Sequence, residues 1–364
     1  MNKEDKYLVI MAGGVGSRFW PKSTEENPKQ FLDVLGVGKT LIQLTFERFN
    51  SIVPSENILV VTNEQYVDLV LEQLPKIEKQ NVLAEPCMRN TAPCLAYAIK
   101  KIEQENPEAV MIVSPADHLI SKTDVFQSVM NTGIEYVSQN DRILTIGIQP
   151  DRPNTGYGYI EYNIDHKNDH HVPVDVKQFK EKPNLETAKD YIDRGNFSWN
   201  SGMFLWSLKT ILNSFNSHAS DVIQLFDTKG EVIYGTEREK EFIESVYSNC
   251  PSISVDYAIL ERADNVSVMN TDIGWSDIGT WVSLQEHIQK SEEGNFEISG
   301  KTLMDKSKGN IVSLPDGRIL ATKGLNDFII VESEGVLMIV SKEYEQDIKA
   351  LRFEVGEKFG KEYI

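Results

Sequence analysis

The first apolar run of the chain leads directly into a glycine-rich loop, because residues 7–18 read YLVIMAGGVGSR. Residues 7–11 are large and apolar, which is typical of a short buried strand. The glycines that follow let the backbone approach a phosphate closely, and amides at the start of a helix favour negative charge. The stretch predicts an α/β protein with an anion-binding loop after its first strand, although a simple tight turn explains the glycines alone equally well.

Two nucleotide-binding motifs with similar glycines are excluded by their spacing. A dinucleotide fingerprint needs a glycine at position 19, where the chain has Phe19. The segment Gly38-Lys39-Thr40 resembles the end of a Walker A loop, but the first glycine of that motif would fall on Asp33. The loop therefore predicts neither a nicotinamide-dependent oxidoreductase nor a P-loop protein.

Apolar strand patterns and amphipathic helix patterns alternate along the first 150 residues or so. The strand-like runs are Tyr7–Met11, Ile58–Val61, Ala109–Val113 and Ile143–Ile148. The helix-like segments are Leu41–Asn50, Glu64–Leu74, Thr91–Gln104 and Asp124–Gln139. This alternation predicts a Rossmann-like, mostly parallel sheet flanked by helices, with ligands at the carboxyl ends of its strands.

The pattern changes twice further along the chain. Pro150–Phe204 combines short strands with glycine and proline turns, which predicts an insertion over the sheet. Beyond a helix predicted at Trp281–Lys290, short apolar runs predict a small β-rich region that ends in a charged helix from Glu343 to about Phe353. We therefore predict two domains, residues 1–290 and 291–364.

Charge and cysteine content exclude several classes of function. The chain has 55 acidic and 37 basic residues, and its net charge of -18 opposes binding to nucleic acid or to anionic membranes. Its three cysteines match neither a disulfide framework nor a zinc site. Because it shows no signal-peptide pattern and no apolar run of membrane-spanning length, the sequence predicts a cytoplasmic protein.

Two aspartates are candidates for a metal site. Asp117 follows the strand-like run Ala109–Val113, and Asp277 lies far away in the segment GWSDIG. Magnesium prefers one or two carboxylates together with phosphate oxygens and water, so this pair fits Mg²⁺. Each aspartate taken alone is explained more simply as a turn or cap residue.

The complete loop motif is far more specific than its glycines. The run Gly13-Gly14-x-Gly16-x-Arg18-x-x-Pro21, followed by PKQF at positions 28–31, resembles the signature of the sugar-phosphate nucleotidyltransferase family. Trp20 and Pro21 make the loop similar to the mannose-1-phosphate guanylyltransferase branch of that family. Further family blocks occur in family order, so the resemblance extends from Leu8 to about Ile348.

The resemblance implies a role for each matching position. Phosphates would be neutralised by the catalytic cations Arg18, Lys29 and Lys182, and the metal would be held by Asp117 and Asp277. The nucleotide would be bound by Ala12, Gly13, Gly14, Gly16, Ser17, Glu85, Arg89, Asn90, Thr91 and Ala92. The sugar phosphate would be bound by Gly158, Tyr159, Glu181, Lys182 and Asn200.

Guanine is the base that the residues favour. The carboxylate of Glu85 can accept hydrogen bonds from the N1 and N2 donors of guanine, whereas adenine lacks that donor pattern. Simple helix capping explains Asn90 and Thr91, but it does not explain Glu85 and Arg89.

The implied reaction is a direct displacement. GTP and mannose 1-phosphate would give GDP-mannose and pyrophosphate, with Mg²⁺ as the cofactor. Another sugar 1-phosphate, such as a heptose or glucose ester, and another base stay open, as does an inactive regulatory subunit. The resemblance further implies a short β-helical extension with dimer contacts. The sequence differs from the longest members of the family in showing no phosphomannose isomerase module after the β-rich region, so we do not expect a bifunctional enzyme.

Overall fold

The computed structural model describes residues 5–166 and 170–364. They form two compact units. Unit 1 contains the chain up to Gly13, Phe46–Ala116 and Ile120–Trp275. Unit 2 contains Gly14–Thr45, Asp117–Leu119 and Ser276–Ile364. Among the described residues, no helix is both long enough and apolar enough to cross a bilayer.

The strands and helices follow the chain in this order. The strands are β1 (Lys6–Met11), β2 (Ile58–Asn63), β3 (Val82–Glu85), β4 (Val110–Pro115), β5 (Leu119–Ile120), β6 (Ile143–Ile148), β7 (Tyr159–Tyr162), β8 (Pro173–Lys180), β9 (Phe197–Ser207), β10 (Val266–Thr271), β11 (Trp275–Ser276), β12 (Phe296–Ser299), β13 (Lys301–Asp305), β14 (Ile311–Ser313), β15 (Ile319–Lys323), β16 (Phe328–Ser333) and β17 (Val336–Ser341). The α-helices are α1 (Leu41–Asn50), α2 (Val67–Gln73), α3 (Thr91–Glu105), α4 (Thr123–Gln139), α5 (Leu185–Arg194), α6 (Leu208–His218), α7 (Ser220–Ile223), α8 (Glu239–Asn249), α9 (Trp281–Gln285) and α10 (Ile348–Phe359).

Unit 1 is built on a large sheet. Within the described chain it has nine strands in the order β3-β2-β1-β4-β9-β6-β10-β8-β7. The α/β class predicted from the sequence is confirmed, but the prediction of a mostly parallel sheet is wrong. Strand β9 runs antiparallel to both of its neighbours β4 and β6, and β7 and β8 pair as an antiparallel hairpin.

The position of β9 explains this error. Pro150–Phe204 was expected to lie over the sheet as short strands, yet its last part belongs to an eleven-residue strand inside the sheet. Most residues of β9 are buried, so the strand is covered on both faces. A central position in the sheet lets it bury apolar side chains on both of these faces. The chain reaches it from β8 through α5, and it enters the sheet in the opposite direction to β4.

The parallel half of the sheet brings several loop starts to one edge. Met11 at the end of β1 is in register with Pro115 at the end of β4, and Asn63 of β2 is in register with Glu85 of β3. The amide of Ala12 donates to the carbonyl of Val61 at 2.8 Å. Because carboxyl ends of parallel strands share an edge, the loops after β1, β3 and β4 start together.

Unit 2 combines the N-terminal loop with the C-terminal strands. Strands β12, β14 and β16 pair in parallel, β17 is antiparallel to β16, and β13 pairs with β15 in a second parallel sheet. The buried core of this unit includes Phe19, Trp20, Leu41, Ile278, Trp281, Leu284, Ile311 and Ile329. The domain boundary after residue 290 stays a prediction, while residues 14–45, 117–119 and 276–290 pack with the C-terminal strands. The helix predicted at Trp281–Lys290 is shorter, because α9 ends at Gln285, and the terminal helix α10 extends from Ile348 to Phe359.

A buried ion pair supports the helical face of unit 1. Lys101 Nζ lies 3.0 Å from both carboxylate oxygens of Glu239, and the lysine is 3% exposed. We expect Lys101→Met to lower the free energy of unfolding by about 3 kcal/mol, because it leaves a buried carboxylate without its counter-charge. Urea denaturation followed by circular dichroism measures this loss. The control is Lys240→Met on α8, since Lys240 is 76% exposed. Equal losses for the two variants would contradict the prediction.

Candidate active site

The glycine loop of unit 2 rests on the segment that carries Lys29. Gly16 has a φ of 74°, and a Cβ at this position would lie 2.4 Å from Lys29 Cβ. The amide of Lys29 donates to the carbonyl of Val15 at 3.1 Å, and Ser23 Oγ donates to the same carbonyl at 2.5 Å. Gly14 at the start of the loop is exposed. Only glycine meets both the backbone angle and the close approach at position 16.

Lys29 connects three separate segments of unit 2. Its ammonium donates to Asp117 Oδ2 at 2.9 Å and to the backbone carbonyl of Asp277 at 2.7 Å. The side chain is 3% exposed, and the ammonium lies 5.5 Å from the ring centre of Phe19. The three charged residues that the sequence placed in catalytic and metal roles are therefore brought together around one buried cation.

Asp117 is ionised in this environment. Burial raises the pKa of its carboxyl, but Lys29 and the nearby His118 together lower the pKa by more. The pKa of Asp117 therefore lies below its usual range. His118 Nε2 is 3.9 Å from Asp117 Oδ1. Asp277 is held by its own loop, since its Oδ1 accepts from the amide of Gly279 at 3.0 Å.

These two carboxylates fit a cation that is only partly ligated by protein. Within residues 5–166 and 170–364, no group of three or more His, Cys, Asp or Glu side chains is arranged to hold a metal. A closed structural metal site therefore has no counterpart in the described chain. A hard cation with one or two protein carboxylates, completed by phosphate oxygens and water, matches the donor set.

Arg18 extends from the loop toward solvent. It is exposed on the short 3₁₀ helix Ser17–Phe19, while its neighbours Phe19 and Trp20 are buried in the core of unit 2. Because its neighbours are anchored, the backbone at Arg18 has a defined position. Among the residues that the structure describes, Arg18 has no hydrogen-bond or ion-pair partner, so its guanidinium is available to an anionic ligand.

Glu85 forms a buried acidic position at the edge of unit 1. It ends β3, is 5% exposed and accepts a hydrogen bond from the Tyr247 hydroxyl at 2.8 Å. Burial raises the pKa of Glu85 to about 7, although the Tyr247 hydrogen bond lowers it. A Cβ on Gly13 would lie 3.6 Å from Glu85 Oε2, so Gly13 lies directly beside the Glu85 carboxylate. Ala12 beside it is buried.

The segment that opens α3 is fixed by residues far away in sequence. The amide of Ala92 donates to the carbonyl of Ile253 at 3.1 Å, and the amide of Ile253 donates to the carbonyl of Arg89 at 3.3 Å. Thr91 Oγ1 accepts from the amide of Val255 at 2.9 Å. Asn90, with a φ of 69°, caps the helix by accepting from the amide of Thr91 at 2.9 Å. The stretch 253–255, which was not predicted from the sequence, therefore positions the four predicted residues 89–92.

Gly158, Glu181 and Asn200 lie together in unit 1, as the resemblance implied. A Cβ on Gly158 would lie 2.5 Å from Glu181 Oε2 and 3.3 Å from Asn200 Cβ. The amide of Asn200 donates to the carbonyl of Gly158 at 2.8 Å. Lys182, exposed and with a φ of 45°, pairs with Glu181 Oε1. A glycine is required at position 158 because any side chain would displace Glu181.

Tyr159 differs from its neighbours in this group. Its side chain is 0% exposed, and its hydroxyl donates to the carbonyl of Asn154 at 3.0 Å. The ring packs on Tyr191 with 5.4 Å between ring centres. The Tyr159 side chain therefore braces the loop that begins at Asn154.

One carboxylate beside this group was not predicted from the sequence. Asp256 begins a π-helix at Asp256–Leu260, and its Oδ1 accepts from Asn200 Nδ2 at 3.1 Å. The available signal was a single acid inside the apolar run ISVDYAIL at positions 253–260. An ionisable residue in such a run must be paired or functional, since burial of an isolated charge is costly.

Comparisons with known proteins show which family and which solved structures the chain resembles. The nucleotidyl transferase family matches residues 7–294. Mannose-1-phosphate guanylyltransferase of Escherichia coli K12 is 36% identical over 357 residues, which are 96% of this chain and 73% of that protein. The crystal structure of mannose-1-phosphate geranyltransferase from Thermus thermophilus has a TM-score of 0.85 at 26% identity and covers 96% of this chain and 99% of that one. The structure of mannose-6-phosphate isomerase from Helicobacter pylori has a TM-score of 0.59 at 26% identity, over 74% of this chain and 99% of that one.

Glu85 makes the stability of the fold depend on pH. Its folded-state pKa of about 7 is above the ordinary value of 4.5, so the unfolded chain releases this proton first and stability is lost as pH rises between those values. We expect Glu85→Gln to gain about 2 kcal/mol of stability relative to the wild type between pH 5 and pH 8. Urea denaturation at the two pH values measures this gain. Tyr247→Phe should change the pH dependence in the opposite direction, because it removes the hydrogen bond that lowers the pKa. A pH-independent difference between Glu85→Gln and the wild type would contradict the assignment.

Proposed function

Because the chain belongs to the nucleotidyl transferase family, we propose that it joins GTP to α-D-mannose 1-phosphate and releases GDP-mannose and pyrophosphate. The family predicted from the loop motif is confirmed by the match over residues 7–294. The substrates follow from the 36% identity to the Escherichia coli guanylyltransferase over 96% of this chain. The structural observation that carries the mechanism is the buried Lys29 ammonium between Asp117 and the Asp277 carbonyl.

The reaction needs no protein nucleophile. An oxygen of the sugar phosphate attacks the α-phosphorus of GTP, and pyrophosphate leaves in line. Catalysis of such a transfer is mostly positioning and stabilisation of charge. Arg18 is suited to the triphosphate because an exposed guanidinium can bond two phosphate oxygens at once. Lys182 is suited to the sugar phosphate as a point contact, and its side chain is 60% exposed.

Lys29 acts mainly through its neighbours. Its ammonium is committed to Asp117 and to the Asp277 carbonyl, so it keeps one carboxylate ionised and holds both aspartates in place. Asp117 and Asp277 would hold Mg²⁺, which neutralises phosphate charge when it is bound. The positive charge of Lys29 adds to the field that favours an anionic ligand next to the glycine loop.

The nucleotide is assigned to two groups of residues. The phosphates are proposed to meet the loop formed by Ala12, Gly13, Gly14, Gly16 and Ser17, and the base and ribose to meet Glu85 and the segment Arg89-Asn90-Thr91-Ala92. Glu85 supports guanine because its carboxylate accepts from the N1 and N2 donors. With a pKa of about 7 in the free protein, Glu85 is close to ionisation, and donors from the base would favour the charged form.

The remaining assignments are proposals of the same kind. Gly158, Tyr159, Glu181 and Asn200 are assigned to the hexose, with Tyr159 bracing the loop that begins at Asn154. Three free cysteines support a reducing location, for which we propose the cytoplasm.

Exposed apolar side chains on β17 and α10, such as Leu337 and Phe359, support a homodimer through a short β-helical extension in unit 2.

Pyrophosphate release from a panel of substrate pairs tests the proposed reaction. We expect release with GTP, mannose 1-phosphate and Mg²⁺, and release at least about tenfold slower with ATP, UTP or CTP, because those bases lack the donor pattern that Glu85 accepts. Glucose 1-phosphate and a heptose 1-phosphate test the sugar. Release with a different pair would change the substrate and keep the mechanism, whereas no release from any pair would favour an inactive regulatory subunit. The interconversion of mannose 6-phosphate and fructose 6-phosphate, measured on the same preparation, tests for isomerase activity.

Two substitutions test the phosphate and metal residues. We expect Arg18→Ala and Asp117→Ala to lower kcat by about 100-fold or more, because each removes stabilisation of charge at the reacting phosphates. Initial rates with saturating GTP and mannose 1-phosphate measure the loss, and circular dichroism checks the fold. Arg238→Ala is the matched control, since Arg238 is 62% exposed and pairs only with the surface residue Glu231 among its described neighbours. Near-normal turnover in Arg18→Ala or Asp117→Ala would contradict the assignment.

A further inference from the structure

The Asn200 side chain is held in one orientation by three partners. Its Oδ1 accepts from Thr145 Oγ1 and from the amide of Gly202, each at 3.1 Å. Its Nδ2 donates to Asp256 Oδ1, also at 3.1 Å. An amide has two N–H donors, and in the described chain the second donor of Asn200 has no partner. The amide therefore presents one N–H to a ligand and no acceptor.

The backbone is irregular at both residues of the Asn200–Asp256 hydrogen bond. The pairing of β6 with β9 shifts register between Thr145 and Gly147, so β9 bulges just after Asn200. Asp256 is placed by the π-helix Asp256–Leu260, whose Ala258, Ile259 and Leu260 are buried in the core. Bulges and single π-turns redirect side chains and are frequent at functional sites. Two independent irregularities thus bring one amide and one carboxylate together.

The charges around Asp256 suit a hydroxyl group better than a phosphate. Burial and the nearby Glu181 raise the pKa of Asp256 to about 6, against the lowering effects of Lys182 and of a hydrogen bond from Ser254. Two neighbouring carboxylates repel an anionic group, so the phosphate of a sugar phosphate is expected to lie at the exposed Lys182. The neutral, hydroxyl-bearing side of the sugar is left for Asp256 and Asn200.

We propose that Asp256 is a specificity-determining residue of the sugar site, which accepts a hydrogen bond from the same sugar hydroxyl to which Asn200 donates. A hydroxyl is both a donor and an acceptor, and the Asn200–Asp256 pair offers one partner for each. Asp256 is partly exposed, so its carboxylate is within reach of a ligand. This inference rests on the proposed function, because it takes the ligand to be a hexose 1-phosphate.

A site built to bond a hydroxyl discriminates strongly against an analogue that lacks it, since the protein groups are then left unpaired. Removal of the carboxylate should weaken that discrimination at one hydroxyl only, because the Asn200 amide still donates to the same group. Asp256→Ala and the four deoxy analogues of mannose 1-phosphate, at positions 2, 3, 4 and 6, therefore form a set of double-mutant cycles. Each cycle compares one missing hydroxyl with the missing carboxylate.

The experiment measures kcat and KM for the wild type, Asp256→Ala and Asp256→Asn with GTP and each sugar 1-phosphate. We expect Asp256→Ala to raise the KM for mannose 1-phosphate by at least about tenfold, with the KM for GTP changed by less than about twofold. One deoxy analogue should have a clearly smaller penalty in the Asp256→Ala background, and the other three should keep theirs. Asp256→Asn keeps an uncharged acceptor, so its KM should lie between those of the wild type and the alanine variant.

Two further variants separate a specific role from a structural one. Thr145→Val removes only the hydroxyl that bonds Asn200 Oδ1, so it should reduce the penalty of the same deoxy analogue to a smaller extent. Asp193→Asn, on the exposed end of α5, should leave every value unchanged. Thermal unfolding checks that the variants fold, and Asp256→Asn serves for the cycle if Asp256→Ala does not.

The outcomes distinguish this inference from the proposed function. Additive penalties for all four analogues, or an equal rise in both KM values, would overturn the role of Asp256 while wild-type turnover upholds the reaction. If the wild type uses another hexose 1-phosphate, the same cycles with the deoxy forms of that sugar decide the role. A wild-type protein that turns over no hexose 1-phosphate would overturn both.

Discussion

The arrangement of unit 2 depends on one buried ammonium group. Lys29 is 3% exposed, and its charge is balanced by Asp117 at 2.9 Å and by the carbonyl of Asp277 at 2.7 Å. A buried charge without partners is strongly destabilising, so the three segments that supply these atoms must come together for the unit to fold. The position of Lys29 also requires a glycine at position 16, because a Cβ there would lie 2.4 Å from Lys29 Cβ. The glycine loop and the two candidate metal ligands are thus positioned by a single electrostatic requirement.

The candidate site residues of unit 1 include two acids that are largely removed from water. Glu85 and Asp256 both have raised pKa values, about 7 and about 6, because each is largely removed from water. Each acid has one defined partner, the Tyr247 hydroxyl for Glu85 and the Asn200 amide for Asp256. Acids that are restrained but not neutralised by a cation remain good acceptors for the N–H and O–H groups of an uncharged base or sugar. Unit 2 therefore carries the buried Lys29 cation with its carboxylate partner Asp117, whereas Glu85 and Asp256 give unit 1 two desolvated hydrogen-bond acceptors.

The segment 253–256 contacts both groups of unit 1 residues that are assigned to substrates. Ile253 and Val255 hydrogen-bond the stretch 89–92 that is assigned to the nucleotide, and Asp256 holds Asn200, which is assigned to the sugar. A shift of this segment would change both groups of residues at once. Rigid support of this kind matters for a reaction that relies on positioning, since small displacements of bound groups reduce the rate strongly.

Local features could be predicted from the sequence alone: the first strands and helices, the glycine loop and the family. These depend on apolar periodicity and on residues close together in the chain, so they can be read without knowing the fold. The site residues assigned from the resemblance stay proposals, although Lys29 with Asp117 and Asp277, and Gly158 with Glu181 and Asn200, are brought together. Four features could not be predicted without the folded structure: the antiparallel entry of β9 into the sheet, the burial of the Tyr159 side chain, and the contacts of Asp256 and of Tyr247. The physical reason is that strand order and the environment of a buried side chain arise from pairings across the whole chain, such as that of Glu85 with Tyr247, 162 residues away, and no local pattern encodes them.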